Sequence, residues 1–397
     1  MNHFMTQKKM KNKKMIPLSV PNISGNEWKY VKDCLDTGWI SSVGSYVNEF
    51  EKSIAKYCNV KYAIATSSGT TALHTSLRLL GVKENDYVII PNITFVATAN
   101  AVKYCGAEPI LIDADPNTWQ FDLDLIEDFI ENSCETNAKN ELIYKKNKRK
   151  VSAIIPVHIQ GNMCDMNRLI SLSKKYSINI LEDAAEALGS SFKKKSAGTF
   201  GTLGCLSFNG NKTISTGGGG MILTNNQDLA SRAKHLTTTA KKDPLEYYHD
   251  EVGYNYRLVN VLAAIGVAQL EQLPEFLKRK NYVGEFYKDN LYNVGDITFQ
   301  KVNKDVITNH WLFTVKTKFQ KKLLKFLNEN GVISRPFWMP MNKLPMYTNC
   351  IYINKSDNCK KIHESCISIP SSTNISDEEL SIVVNYIKTF FDELLFH

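Results

Sequence analysis

Lys212 stands in the stretch Ser207-Phe208-Asn209-Gly210-Asn211-Lys212-Thr213-Ile214-Ser215-Thr216-Gly217-Gly218-Gly219-Gly220, where a single amine is followed by four consecutive glycines. Glycine lets a backbone approach a ligand closely and adopt positive φ. A lysine on such a loop is a candidate nucleophile or cofactor anchor; a solvated lysine on a flexible loop is the plainer reading of the same residues. Asp183 is the second candidate. Ile178-Asn179-Ile180-Leu181 runs straight into Glu182-Asp183, and a carboxylate at the end of an apolar strand can face a bound ring and hold a pyridinium nitrogen protonated. It can equally cap a helix by accepting free N–H groups. Ser68-Gly69-Thr70 is the third: hydroxyls and exposed amides ahead of a helix can hold a phosphate, or Ser68 can be an ordinary N-cap. Neither a Walker sequence nor G-x-G-x-x-G occurs there.

The elements that must position these residues are short apolar runs rich in Val and Ile. They lie at 61–65, 87–90, 110–112, 151–156, 178–181, 205–208 and 220–223, with helical stretches between them. Seven such runs predict a mainly parallel sheet covered on both faces. Loops after these strands collect at the sheet's carboxyl edge, where open α/β folds bind ligands. Residues 259–292 read as one mostly helical stretch, and the chain is expected to divide within it. The expected division is a tail over 1–14, a large domain over 15–275 and a smaller C-terminal α+β domain over 276–397 closed by a helix over 377–395. The Lys/Asn-rich segment 132–150 reads as a surface loop or a solvated helix end.

Composition narrows the class. A chain of 397 residues with 43% hydrophobic and 22% charged residues suits a soluble two-domain protein. The net charge of +8 is concentrated. Lys8, Lys9, Lys11, Lys13 and Lys14 form one cluster, and Lys145, Lys146, Lys148, Arg149 and Lys150 another. The rest is near balance, which speaks against nucleic-acid binding. The lysine-rich start has no apolar core and is expected to be a disordered tail, neither signal nor anchor. No run is long enough to span a membrane. Nine scattered cysteines without a C-x-x-C pair fit a reducing, cytoplasmic setting, with neither a disulfide framework nor a metal site.

Taken in order, S-S-G-T-T-A-L, P-N-I-T-F-V-A-T, P-V-H-I-Q-G, L-E-D-A-A-E-A-L-G, S-F-N-G-N-K-T-I-S-T-G-G-G-G and G-Y-N-Y-R resemble the DegT/StrS family of pyridoxal-phosphate-dependent nucleotide-sugar aminotransferases. The likeness runs over residues 16–390. It implies an α/β fold of the aspartate aminotransferase superfamily (PLP fold type I) and homodimers with shared active sites. By resemblance Lys212 matches the lysine that carries pyridoxal 5'-phosphate and moves the proton, and Asp183 the partner of the pyridine nitrogen. Ser68, Gly69, Thr70 and Ser207 match the phosphate site, Phe95 the residue stacked on the ring, and Glu186 a position near the cofactor's hydroxyl. Asn255 matches a residue that reaches the neighbouring subunit's phosphate. His158 lies near the cofactor in similar proteins, with a structural role equally open.

The activity so implied moves an amine from L-glutamate to a nucleotide-linked keto-sugar, with the pyridoxamine form (PMP) as intermediate. The stretches 16–28, 36–44 and 209–211 look most like a LegC-like branch. That implies amination of C4 of UDP-4-keto-6-deoxy-N-acetylglucosamine for surface glycans of the bacillosamine and legionaminic acid type. The alternative is another nucleotide sugar such as GDP-4-keto-6-deoxymannose, on the way to perosamine. Trp39, Ser41, Arg257, Arg335, Trp338 and Lys343 are the candidate substrate contacts, with core packing or surface roles as their other reading; many relatives have His where this chain has Asn342. Relatives with His in place of the lysine remove a hydroxyl instead, and Lys212 argues against that. A cofactor-binding regulator without turnover is the rival of another class.

Overall fold

The computed structural model describes residues 15–243 and 245–395; the expected tail over 1–14 lies outside the described residues. All seven expected strands form: β1 (Tyr62–Thr66), β2 (Tyr87–Pro91), β3 (Glu108–Ile112), β4 (Val151–Ile154), β5 (Asn179–Asp183), β6 (Leu203–Ser207) and β7 (Gly220–Thr224). Among the strands that follow are β8 (Thr298–Phe299), β9 (Phe313–Lys316), β10 (Arg335–Pro336), β11 (Ile351–Ile353) and β12 (Cys366–Ile369). The large sheet has eight strands, ordered β1-β7-β6-β5-β4-β2-β3-β11. The eighth comes from the C-terminal part, where Ile351, Tyr352 and Ile353 pair in parallel with Ile110, Leu111 and Ile112. A run of three half-buried residues at an edge carries too little periodicity to be read as a strand.

The sheet is parallel except at β7, which runs antiparallel to both β1 and β6. That reversal matters for the site. A hairpin-like connection from the carboxyl end of β6 to the start of β7 need not cross a sheet face, so residues 208–219, Lys212 among them, stay at one edge. The registers bring Thr66 and Ser207 level with Gly220, and Asp183 level with Cys205.

Two apolar clusters cover the faces of this sheet. One is built on Phe50, Ile54, Ile126, Phe129, Leu169 and Phe208, the other on helix α1 (Gly69–Leu79) with Leu73 and Leu77 and on Val102 and Ile155. Burying each of these large side chains contributes about 1.5–3 kcal/mol. A third cluster joins the second half of the long helix α2 (Asn260–Leu291) to the C-terminal helix α3 (Asp377–Leu395) and to a four-stranded antiparallel sheet ordered β8-β9-β12-β10. Leu273 and Phe276 of α2 belong to the first cluster and Val283 to the third. Pro274, which has no N–H for the helix ladder, lies near the middle of α2, before the change of cluster. Met341 and Tyr347 pack into the second cluster, so residues 341–353 sit on the large sheet although they follow the long helix.

Residues 132–150 form no simple loop. Cys134–Thr136 and Leu142–Tyr144 make a two-stranded antiparallel hairpin, held down because Cys134 and Leu142 are buried in the first cluster. No described helix is long and apolar enough to cross a membrane.

Candidate active site

The carboxyl edge of the sheet opens into a cleft of about 810 Å³, lined from both parts of the chain. Its floor is Asp183, at the end of β5. Burial pushes the Asp183 carboxyl above the usual carboxylate range, and a hydrogen bond from Thr98 opposes that push. Thr98 Oγ1 donates to Asp183 Oδ2 at 2.7 Å, and the Ala185 amide donates to Oδ1 at 3.2 Å. No helix begins after Asp183, so it is not a helix cap. Such a carboxyl is stabilised as a carboxylate by a cationic N–H placed against it.

Glu182, its neighbour, faces away from the cleft and is fully buried. It accepts from the amides of Gly198, Phe200 and Gly201 and pairs with His158 Nε2 at 2.9 Å. His158 therefore serves the loop behind the cleft and does not line it.

Lys212 comes in from the loop between β6 and β7. Its Nζ lies 3.6 Å from Glu186 Oε1 and 3.9 Å from the centre of the Trp311 ring. Burial draws the amine below the ordinary lysine range, while the carboxylates of Glu186 and Asp183 pull the other way. Desolvation alone is responsible for the lowering, because the charged neighbours are negative. Burial raises the Glu186 carboxyl to about 7, opposed by Lys212 and by the Gln160 amide, which donates to Oε2 at 2.9 Å. Gln160 holds a left-handed backbone at φ 58° to make that contact. A non-glycine residue there stores strain that its surroundings must hold.

One end of the cleft is an anion cradle. Ser68 caps α1 by accepting from the Thr71 amide at 3.1 Å, so the N-cap reading holds. The same turn still leaves the amides of Gly69 and Thr70, the first two helical residues, without intrahelical acceptors. Gly69 packs so tightly on Ser207 that a Cβ would lie 2.9 Å from Ser207 Cβ. Positive helix end, free amides and the Ser207 hydroxyl converge there, which suits a phosphate. Phe95, 55% exposed, stands free in the cleft wall and can lie against a ring. A phosphate cradle, an amine and a carboxylate lining one cleft match the donor set that pyridoxal phosphate needs, so the residues present fit that group.

Of the candidate substrate contacts, Arg335 and Trp338 line the cleft. Trp39, Ser41, Asn255 and Lys343 do not line it and are exposed. Arg257 is a correction: it is buried, paired with Glu51, and donates to the Ala65 carbonyl at 3.2 Å beneath β1. Asn342 exchanges hydrogen bonds with Asn92 at 2.9 and 3.1 Å, which fastens its segment to the end of β2. Sequence reasoning missed Thr98, Gln160, Asn309 and Trp311. Thr98 and Gln160 stand inside the quoted stretches P-N-I-T-F-V-A-T and P-V-H-I-Q-G, which gave them no role; Asn309 and Trp311 lie outside every such stretch, and the contact of Trp311 with Lys212 spans 99 positions that no local pattern encodes.

A model of the DegT/DnrJ/EryC1/StrS aminotransferase family matches residues 21–388. A GDP-perosamine synthase of Escherichia coli O157:H7 is 37% identical, covering 96% of this chain and all of its own. A UDP-4-amino-4,6-dideoxy-N-acetyl-beta-L-altrosamine transaminase of Campylobacter jejuni is 34% identical, over 79% of this chain and 75% of its own. Among solved structures, Helicobacter pylori PseC, an aminotransferase involved in the biosynthesis of pseudoaminic acid, superposes with a TM-score of 0.86 at 24% identity, covering 96% of this chain and all of that one. That likeness shows the fold.

Proposed function

The chain belongs to the DegT/DnrJ/EryC1/StrS aminotransferase family and is a pyridoxal-phosphate-dependent sugar aminotransferase; from that premise we propose that it places an amine on C4 of a nucleotide-linked 4-keto-6-deoxy sugar, with Lys212 as its working amine. The observation that carries the residue assignment is the position of Lys212 Nζ between Glu186 and Trp311 in the cleft that Asp183 floors.

Bound pyridoxal phosphate supplies an electron sink for a carbanion at the amine-bearing carbon. The chain's own residues do the rest. The Gly69 and Thr70 amides with the Ser68 and Ser207 hydroxyls would hold the phosphate, Phe95 would cover the ring, and Asp183 would accept the ring N–H and keep it protonated. Lys212 Nζ would take the proton from the amine-bearing carbon and deliver it to the cofactor's C4′ carbon on the other side of the nitrogen. An amine drawn down by burial has a larger neutral fraction than an exposed lysine and so more of the lone pair this needs. Glu186 would hold the ring hydroxyl. L-Glutamate is the proposed donor.

UDP-4-keto-6-deoxy-N-acetylglucosamine is the proposed acceptor. Asn209 and Asn211, which belong to one of the stretches that carry the branch resemblance, line the cleft, and the Campylobacter relative is named for a UDP-sugar. A GDP-linked keto-sugar is the second reading, favoured by the full-length match to a GDP-perosamine synthase. Arg335 at the rim suits the diphosphate of either. A homodimer with shared sites is proposed because Asn255, Trp39 and Ser41 are exposed and lie off their own chain's cleft.

Incubating the loaded protein with L-glutamate and each keto-sugar in turn tests this. An amino sugar of the expected mass, with the new C–N bond at C4 by NMR, from the UDP-sugar alone supports the first reading, and from the GDP-sugar alone the second. No product from either overturns the C4 assignment.

A further inference from the structure

Trp311 is only 3% exposed, and each of its polar atoms is held. Its backbone N–H donates to Asn309 Oδ1 at 3.0 Å and its indole Nε1–H to the Asn211 carbonyl at 2.7 Å. Its carbonyl accepts from Lys280 Nζ at 2.8 Å. Asn309 is itself fastened to the catalytic edge: its Nδ2 donates to the carbonyls of Glu186 and Leu188, both at 2.9 Å, and reaches Thr213 Oγ1 at 3.3 Å. Gly161 comes so close that a Cβ there would lie 1.9 Å from Asn309 Oδ1. Residues 309–311 thus form a strap fixed through Asn309 to the loops at the large sheet's carboxyl edge and through Lys280 to the long helix α2.

Lys280 is unusual. It is 2% exposed, and among the described residues no carboxylate acts on its amine, whose only perturbation is burial. Nζ donates to the carbonyls of Trp311 and, at 2.5 Å, Ser371. A neutral primary amine has two N–H donors, and these two carbonyls take both; burial pulls the amine down to about 7, in keeping with that form. A lysine buried without a counter-charge costs stability that an apolar side chain would not. What it does that an apolar side chain cannot is grip those two carbonyls.

We propose that Lys280 is a positioning residue, which by gripping the Trp311 carbonyl fixes the indole face against the amine of Lys212 and so sets where that amine sits and how firmly it holds a proton. This rests on the reading of Lys212 as the cofactor-bearing amine. The face of an indole attracts an ammonium group. With the ring held 3.9 Å away, Lys212 keeps its proton to a higher pH than burial alone permits. Releasing the strap lets the ring drift, and the amine becomes neutral earlier.

The test uses full-length protein free of cofactor, labelled with trace acetic anhydride across a pH series, with the Lys212 peptide quantified by mass spectrometry. Lys280→Met and Trp311→Leu are each expected to lower the pH of half-labelling at Lys212 by roughly half to one unit. Trp311→Phe, which keeps an aromatic face, is expected to shift it less than Trp311→Leu. The double variant Lys280→Met/Trp311→Leu is expected to match Trp311→Leu alone, because Lys280 acts through Trp311. Where Lys280→Met does not accumulate as folded protein, Lys280→Gln, with two N–H donors on a shorter stem, is expected to give a smaller shift of the same sign. An unshifted Lys212 curve in Trp311→Leu or in a folded Lys280 variant overturns the proposal, as does a fully additive double variant. Borohydride reduction of the wild type loaded with pyridoxal phosphate separates the two readings. A tag on another lysine removes the premise; a tag on Lys212 with unshifted curves removes this inference alone.

Discussion

Glu186 Oε1 and Lys212 Nζ lie 3.6 Å apart with side chains only 3% and 12% exposed, so in the cofactor-free protein each is the other's main electrostatic partner. Burial disfavours the charged form of both and their attraction favours it. The carboxyl is raised to about 7 and the amine is drawn down. Glu186→Gln removes the negative partner and should make Lys212 neutral at lower pH, seen as earlier labelling of its peptide. An unchanged labelling curve would mean that the pair is not coupled.

The same carboxyl predicts a pH dependence of stability. Its folded value is raised above its unfolded one, so its contribution is fully present below about pH 4.5 and is lost as pH rises through about 7. At pH 8 the folded chain bears the cost of a buried carboxylate, on the order of 3 kcal/mol by the size of the shift. Cofactor-free Glu186→Gln should therefore gain stability over the wild type in urea at pH 8 and lose most of that gain at pH 5. A gain that is the same at both values would rule out titration of Glu186 as its source.

Asp183→Asn keeps an oxygen for the Thr98 hydroxyl but removes the charge that a protonated ring nitrogen needs. Breaking one partner of a buried charge pair costs about 3–5 kcal/mol, so affinity for pyridoxal phosphate in equilibrium dialysis should fall by a factor on the order of 100 or more. Thr98→Val, which removes one neutral donor, should cost far less, about 1–3 kcal/mol. Equal losses in the two variants would contradict the charge argument.

Much of this site was legible in the sequence, and the limits have physical causes. Lys212, Asp183, Ser68, Gly69 and Thr70 follow strands or start a helix, so local pattern and the rule that ligands gather at the carboxyl edge marked them as candidates; Ser207 was marked by the family resemblance, and all six line one cleft. Arg257 looked the same in sequence, but a charge pattern does not say which partner a guanidinium finds, and Glu51 lies 206 positions away. The eighth strand and the strap over 309–311 depend on the second part of the chain folding back onto the first. Lys280 was invisible because a lone lysine in a long helical stretch reads as a solvated face; only the fold shows the two carbonyls that receive it.

Gly69→Ala probes the anion cradle. A Cβ there would meet Ser207 Cβ at 2.9 Å and Oγ at 3.2 Å, while the backbone of α1 could remain helical. Ser207 must therefore move, and the hydroxyl that completes the cradle moves with it. Affinity for pyridoxal phosphate should fall about tenfold, near 1.4 kcal/mol for one displaced hydrogen bond to an anion, with thermal stability little changed. If affinity holds, the phosphate is bound elsewhere.

Asn255 is exposed and lies off its own chain's cleft, so a role in the site requires a second copy. Lys212→Ala should lower turnover by roughly 10³-fold or more, and Asn255→Ala should weaken the phosphate site of the neighbouring protomer. These two lesions fall in different copies. In a hybrid dimer, one site then carries both lesions and the other carries none. Unfolding and refolding an equal mixture makes half of the dimers hybrid, each with one intact site of two, so about a quarter of wild-type activity should return in a two-fold symmetric assembly. Recovery no greater than the mean of the two separate variants would place Asn255 in its own protomer's site, or in none, and the shared-site proposal would fall with it.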